Sequence, residues 1–183
     1  MSLLWAVLLL VAAQRLAELA WARRNTRYLL AAGAYEVAPA HYPVLVAVHV
    51  LWLAALALFV PADAQPVWGL LGVFVVLQAL RLWVLASLGR FWTTRIITLP
   101  GAPLVRRGPY RFVKHPNYLV VAGEIAVLPL AFGAWEIALV FSLANAAVLA
   151  WRIRCEERAL SERRDQAGST TSPTISAPRE AMK

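Results

Sequence analysis

The sequence predicts an all-α integral membrane protein with five transmembrane helices. Hydrophobic residues make up 61% of the 183-residue chain and charged residues only 15%, which is too little polar surface to cover a soluble domain of this length. The mean hydropathy is +0.62. The apolar residues also fall into five runs of helical length, separated by short polar or Pro/Gly-containing segments.

The first three predicted spans cover residues 3–21, 44–60 and 67–88. Each approaches the ~20 apolar residues that cross a bilayer core. No basic residue precedes the first run, which continues into Gln14 and Arg15 instead of ending at a small-residue cleavage site. A secretory signal peptide has a positively charged start and a small-residue cleavage site, so we interpret the first run as a retained span.

The last two predicted spans, residues 119–132 and 134–151, are separated only by Gly133. This spacing predicts a tight C-terminal helical hairpin. The intervening segment 89–118 is interrupted by Pro and Gly, and its short β-branched runs around Pro100-Gly101 predict a small hairpin or an extended loop. Residues 1–160 are therefore one membrane domain. The Ser/Thr/Pro-rich residues 161–183 are predicted to be a disordered tail.

Basic residues follow only the first, third and fifth spans. Strict alternation of this kind places every basic loop on one side, which the positive-inside rule identifies as cytoplasmic. The formal net charge of +8 is explained in this way and does not indicate a nucleic-acid partner. The basic residues counted here are Arg23, Arg24 and Arg27 after the first span, Arg90, Arg95, Arg106, Arg107, Arg111 and Lys114 after the third, and Arg152, Arg154, Arg158, Arg163 and Arg164 after the fifth.

Several polar residues lie inside the predicted spans, where a charge costs at least ~2.5 kcal/mol near a helix centre. Arg15 and Glu18 are three residues apart, as are Gln78 and Arg81, so each pair shares a helix face. Both pairs are interpreted as structural pairs or as part of a site. Glu124 has no basic residue near it in the sequence and is either functional or paired with an arginine of another helix.

The segment around His115-Pro116 predicts a binding site. Pro116 can begin the fourth helix, whose free N–H groups can hold an anion such as a carboxylate. The hairpin brings the charged end of the fifth span, with Arg154, Glu156 and Glu157, back beside His115. Opposed cationic and anionic groups suit a zwitterionic ligand.

Three motifs carry a resemblance to a known family. Gly108-Pro109-Tyr110-Arg111 and Lys114-His115-Pro116-Asn117-Tyr118 are followed by Arg154-Cys155-Glu156-Glu157-Arg158-Ala159-Leu160. The combination resembles the isoprenylcysteine carboxyl methyltransferase (ICMT) family from about Leu88 to Leu160. The resemblance implies a small multispan enzyme that uses S-adenosylmethionine, with no metal ion, in a pocket on the cytoplasmic face.

The chemistry of that cofactor assigns roles to the matching residues. Arg111 and the helix start can bind its carboxylate, a Glu of the pair can bind a cationic centre or a ribose hydroxyl, and Tyr118 can lie against the sulfonium. Glu124 is a candidate base and Arg154 a second catalytic candidate. The predicted cofactor-binding residues are Arg111, His115, Pro116, Asn117, Tyr118, Leu119, Glu156 and Glu157.

The segment 88–95 and the form His115-Pro116-Asn117-Tyr118, together with Glu124, resemble a bacterial branch of the family. Its enzymes O-methylate alkylpyrones and alkylresorcinols made by type III polyketide synthases. The resemblance implies a lipophilic substrate from the bilayer, contact with membrane lipids, a bacterial inner-membrane location and such a synthase as supplier. The alternatives are a prenylcysteine-type carboxylate acceptor, a sterol-reductase-like enzyme that uses NADPH, and a non-enzymatic carrier or scaffold.

Overall fold

The computed structural model of the protein describes residues 2–102 and 105–169, with side chains up to Arg158. It is mainly helical, as predicted. Two-residue strands and short 3-10 turns occupy the connections. The elements are α1 (Leu3–Ala31), β1 (Tyr35–Glu36), α2 (His41–Phe59), α3 (Trp68–Leu88), a 3-10 turn Gly89–Phe91, β2 (Ile97–Thr98), a 3-10 turn Gly108–Arg111, α4 (Pro116–Ala131) and α5 (Trp135–Ser169).

Four of the helices, α1, α2, α3 and α5, are long and apolar enough to cross a membrane. This confirms the prediction of a helical integral membrane protein. The helix α4 is apolar but has only 16 residues, which corresponds to about 24 Å at the α-helical rise. A bilayer core is ~30 Å thick, so α4 is shorter than a typical span.

Two predicted boundaries differ from the structure. The first span was expected to end at residue 21, yet α1 has 29 residues and continues to Ala31. Hydropathy detects only the apolar part of a helix, and the polar turns that include Arg23 and Arg27 continue the same helix. Similarly, α5 continues to Ser169 and so includes the first nine residues of the tail that is predicted from residue 161. Its remaining part lies outside the described residues.

The predicted C-terminal hairpin is confirmed. The helix α4 ends at Ala131, and Gly133 adopts a φ of +75°, a conformation that glycine adopts without steric cost. The Ala134 N–H donates to the Pro129 carbonyl at 2.9 Å, which closes the turn. The helix α4 then packs between α3 and α5.

A continuous apolar core joins α1, α2, α3 and α4 at the hairpin end of the bundle. Its α4 members are buried, and the partly buried Ile137 and Phe141 of α5 pack against it. Burial of one such side chain contributes roughly 1.5–3 kcal/mol where the alternative is water. The core consists of Leu4, Leu8, Val11, Trp52, Leu56, Val60, Phe74, Val121, Ile125, Leu128, Ala131 and Phe132.

In the described part of the connection between α3 and α4, we find no local hairpin of the kind that is one of the two predicted forms. The strand β2 instead pairs antiparallel with β1, which lies between α1 and α2. The Val37 N–H extends this pairing by donating to the Ile96 carbonyl at 2.9 Å. An ion pair between Arg95 and Glu36 at 2.8 Å adds to it. The two loops at this end of the bundle are therefore held together.

The turn at Gly108 has no room for a side chain, which gives a testable expectation. Its φ is +58°, and a Cβ there would lie 2.0 Å from the Ser87 Oγ and 2.9 Å from the Ser87 Cβ. We expect Gly108→Ala to lower the melting temperature in detergent clearly more than Gly101→Ala. Gly101 has a φ of +73° but open space around it, so it pays only the backbone strain of about 1–2 kcal/mol. Equal losses for the two variants would show that the contact with Ser87 yields easily.

Candidate functional site

The start of α4 forms one side of the candidate site. Pro116 is the first helical residue, as predicted, and it is buried. His115 precedes it without providing a side-chain cap. Proline has no N–H, so it fits the first helical position without losing a hydrogen bond. The uncapped first turn therefore faces the same region as the side chains of His115 and Tyr118.

Four side chains from α4 and α5 form what we call the polar site: His115, Tyr118, Arg152 and Glu156. The Tyr118 hydroxyl donates to the Glu156 Oε2 at 2.5 Å and accepts from the Arg152 Nε at 2.8 Å. The rings of His115 and Tyr118 stack with centroids 5.1 Å apart and an interplanar angle of 13°. The His115 Nδ1 lies 3.7 Å from the Glu156 carboxylate. Tyr118 is thus the centre of the site.

Arg152 also connects the polar site to the other loops. Its Nη1 donates to the Thr94 carbonyl at 2.7 Å and lies 3.1 Å from the His41 Nε2. The His41 Nδ1 lies 2.5 Å from the Ala38 carbonyl, a position that requires the proton on Nδ1 and leaves Nε2 to accept from Arg152. Both side chains are buried. The guanidinium is therefore held in one orientation by three partners.

The structure brings together three of the predicted site residues, His115, Tyr118 and Glu156. Asn117 precedes Tyr118 in the first turn of α4, and its buried Oδ1 has no hydrogen-bond partner among the described residues. Four others have exposed side chains and take no part in the polar site. These are Arg111, Leu119, Arg154 and Glu157.

The sequence reasoning placed Arg152 only in the basic end of the last span and did not consider His41. A usable signal was present for Arg152, because it lies four residues before Glu156 and therefore shares its helix face. His41 had no such signal. Its contact with Arg152 spans 111 residues of sequence and arises only when α2 packs against α5.

Tyr110 also borders this region. It packs against a second core cluster that contains Val84, Leu85 and Val120. Burial, and to a smaller extent the negative charge of Glu156, raise the pKa of its hydroxyl. The phenol therefore stays neutral over the physiological pH range.

A separate group of buried charges lies deeper among the helices, and we call it the ion cluster: Arg15, Glu18, Arg81 and Glu124. Glu124 accepts from the Arg15 Nη2 at 2.6 Å and from the Arg81 Nη1 at 3.0 Å. Arg81 also binds Glu18 through Nε at 2.6 Å, and Arg15 pairs with Glu18 at 3.3 Å. Two positive and two negative charges from α1, α3 and α4 therefore balance.

The ion cluster bears on the two interpretations of Glu124. Its pairing with arginines of other helices is confirmed. The second oxygen accepts from the Gln78 Nε2 at 2.8 Å, and the side chain is fully buried. Both carboxylate oxygens therefore already have donors. Glu124 is bound as an inter-helix partner, about 9 Å along α4 from Tyr118 at the helical rise.

A Bacillus subtilis (strain 168) protein described as uncharacterized protein YpbQ is 40% identical over 162 residues, covering 86% of this chain and 96% of its own. An uncharacterized Haemophilus influenzae (strain ATCC 51907 / DSM 11121 / KW20 / Rd) protein is 33% identical over 92 residues, which cover 50% of this chain and 54% of that protein. No solved structure matches the chain. The profile of the isoprenylcysteine carboxyl methyltransferase (ICMT) family matches residues 70–162, and the chain belongs to this family of membrane methyltransferases.

Proposed function

We propose that the protein is an S-adenosylmethionine-dependent O-methyltransferase that acts on a lipophilic acceptor in the membrane. One observation carries the proposal: the polar site links the start of α4 to α5 within the segment 70–162 that matches the methyltransferase family. The apolar helices around it support an acceptor that arrives from the bilayer.

The groups at the site suit the cofactor. S-adenosylmethionine supplies an electrophilic methyl group and carries a carboxylate, an ammonium and ribose hydroxyls that a protein must bind. The unpartnered Asn117 Oδ1 can accept a hydrogen bond from a ligand. Glu156, with 31% of its side chain exposed, can bind an ammonium or a hydroxyl. The uncapped start of α4 can receive a carboxylate.

The residues of the polar site are suited to positioning. Tyr118 is held between Arg152 and Glu156, so its ring and the Glu156 carboxylate have fixed orientations. His115 stacks on that ring and gives the site an aromatic wall. Methyl transfer to an oxygen needs alignment above all, and orientation of bound groups supplies a large part of the barrier reduction.

The acceptor decides whether the enzyme needs a base. An ionised carboxylate or enolate needs none, whereas a phenol gains from proton removal. The two arginines that bind Glu124 favour a structural role over its predicted role as a base. We therefore propose an acceptor that ionises readily, either an alkylpyrone-type enol or a prenylcysteine-type carboxylate, and an alkylresorcinol as the phenolic acceptor that would still need a base. A type III polyketide synthase remains the proposed supplier of the first type.

We also propose that α4 crosses the membrane, which makes five spans with the four longer helices, and that the polar site faces the cytoplasm of a bacterial cell. The Val67 N–H at the start of α3 donates to the Ala131 carbonyl at the end of α4, at 2.8 Å. The two antiparallel helices therefore reach the same level at that end, which supports a short helix that crosses the membrane beside a longer one. The basic loops at the opposite end support the cytoplasmic assignment.

The proposal is tested by purified protein with methyl-labelled S-adenosylmethionine and three acceptors: an alkylpyrone, an alkylresorcinol and a prenylcysteine analogue. We expect label in one of the three, and saturable cofactor binding in calorimetry. NADPH is the competing ligand, and binding of NADPH without binding of S-adenosylmethionine would indicate a reductase. Cofactor binding without transfer to any acceptor would reject the proposed acceptor classes while leaving the methyltransferase assignment in place.

A further inference from the structure

The four residues that precede His115 are all exposed. Phe112 is 77% exposed and Val113 is 41% exposed. Arg111 and Lys114, on either side of them, are exposed as well. Among the described residues, neither of these basic side chains has an ion pair or a hydrogen bond. We call Arg111, Phe112, Val113 and Lys114 the basic wedge.

The exposure of Phe112 follows from a turn that is fixed from behind. Pro109 is buried, and Tyr110 packs against Val84 and Leu85 of α3. The Arg107 Nε donates to the Ser87 carbonyl at 2.7 Å. These contacts hold the 3-10 turn against the end of α3, so the next two side chains have no route into the core.

The position of the basic wedge along the chain also sets its depth in the membrane. The turn rests on the end of α3, and α4 begins at Pro116, two residues after the wedge. Both helices leave the apolar layer there. Apolar side chains at such a boundary enter the lipid while neighbouring Lys and Arg side chains keep their charges at the headgroups. An exposed Phe between two cations fits that arrangement.

We propose that the basic wedge is a docking surface for anionic phospholipid, with Phe112 and Val113 inserted below the headgroups and Arg111 and Lys114 bound to phosphates. The favoured ligand is anionic because the charged residues of the wedge are all positive, and Arg106 just before the turn is an exposed cation too. Lys and Arg near a membrane surface are attracted to acidic lipids. This proposal goes beyond methyl transfer and gives Arg111 a lipid partner in place of the cofactor.

The test measures depth by spin labelling of the full chain in vesicles. The single cysteine is removed by Cys155→Ser, and a nitroxide is attached at Phe112→Cys or, as the control, at Asp63→Cys in an exposed loop without basic residues. Vesicles contain either phosphatidylcholine alone or equal parts of phosphatidylcholine and phosphatidylglycerol. Collision with oxygen reports lipid, and collision with a water-soluble nickel chelate reports water.

We expect the label at 112 to favour oxygen over nickel, and the ratio to rise severalfold with phosphatidylglycerol. Arg111→Gln with Lys114→Gln should remove that rise and leave the control label unchanged. Equal nickel access at 112 and 63 would overturn the proposal, and so would a ratio that ignores phosphatidylglycerol. Protection from both reagents, alone or on addition of S-adenosylmethionine, would assign Phe112 to a protein or cofactor contact. The readout needs no methyl transfer, so it succeeds or fails independently of the proposed activity.

Discussion

Glu124→Leu is expected to destabilise the protein by about 3–5 kcal/mol, because it leaves two buried arginines with one carboxylate between them. The Glu124 carboxylate is fully buried and receives Arg15, Arg81 and Gln78. The measurement is reversible unfolding of the purified protein in mixed detergent micelles. Glu136→Gln, at an exposed glutamate of α5, is the matched control and should change stability by less than about 0.5 kcal/mol.

A double variant separates the loss of charge balance from the loss of packing. Arg15→Leu combined with Glu124→Leu removes one charge of each sign, so we expect it to be less destabilising than the sum of the two single variants. Additive losses would show that the ion cluster does not act as a unit. If Glu124→Gln left stability unchanged and abolished turnover of phenolic acceptors, Glu124 would be the base and the structural interpretation would be wrong.

Glu156→Gln is expected to weaken binding of S-adenosylmethionine by about 10- to 100-fold, the effect of losing one charged hydrogen bond of about 1.5–3 kcal/mol. The amide still reaches the Tyr118 hydroxyl but cannot balance the Arg152 guanidinium or attract a ligand ammonium. Calorimetry of cofactor binding provides the measurement, and kcat/KM for the accepted substrate should fall in parallel.

Glu157→Gln is the matched control for this prediction. It removes the same charge one residue later, from a side chain that is exposed and outside the polar site. We expect its cofactor affinity to stay within about twofold of the unmodified protein, since exposed charges contribute little. Equal losses for both variants would mean that the pair acts through net charge, and the role of Tyr118 as the centre of the site would lose its support.

The main features of the fold could be predicted because they depend on local sequence. The length of the apolar runs predicted four of the spans, Gly133 predicted the hairpin turn, and Pro116 predicted the first residue of α4. The pairing of β1 with β2 could not be predicted, because it joins loops about 60 residues apart. Two-residue strands carry too little alternation to indicate a partner.

The candidate site was predictable to the extent that its residues belong to the family motifs. His115, Tyr118 and Glu156 lie in those motifs and meet in the structure. Arg111 and Arg154 belong to the same motifs, but their side chains are exposed and lie outside the polar site. Only the way the helices pack decides which charged side chain of a motif turns inward, and that information is not local.

The ion cluster has a consequence for how the protein is made. Arg15 and Glu18 share one helix, so the first segment enters the bilayer with its charges already offset. Arg81 and Glu124 have no such partner on their own helices. The third segment therefore needs the first in place to shelter its cation, and the fourth needs both to shelter its anion. Release from the insertion machinery should follow chain order, with the short fourth helix retained until the first and third have joined around it.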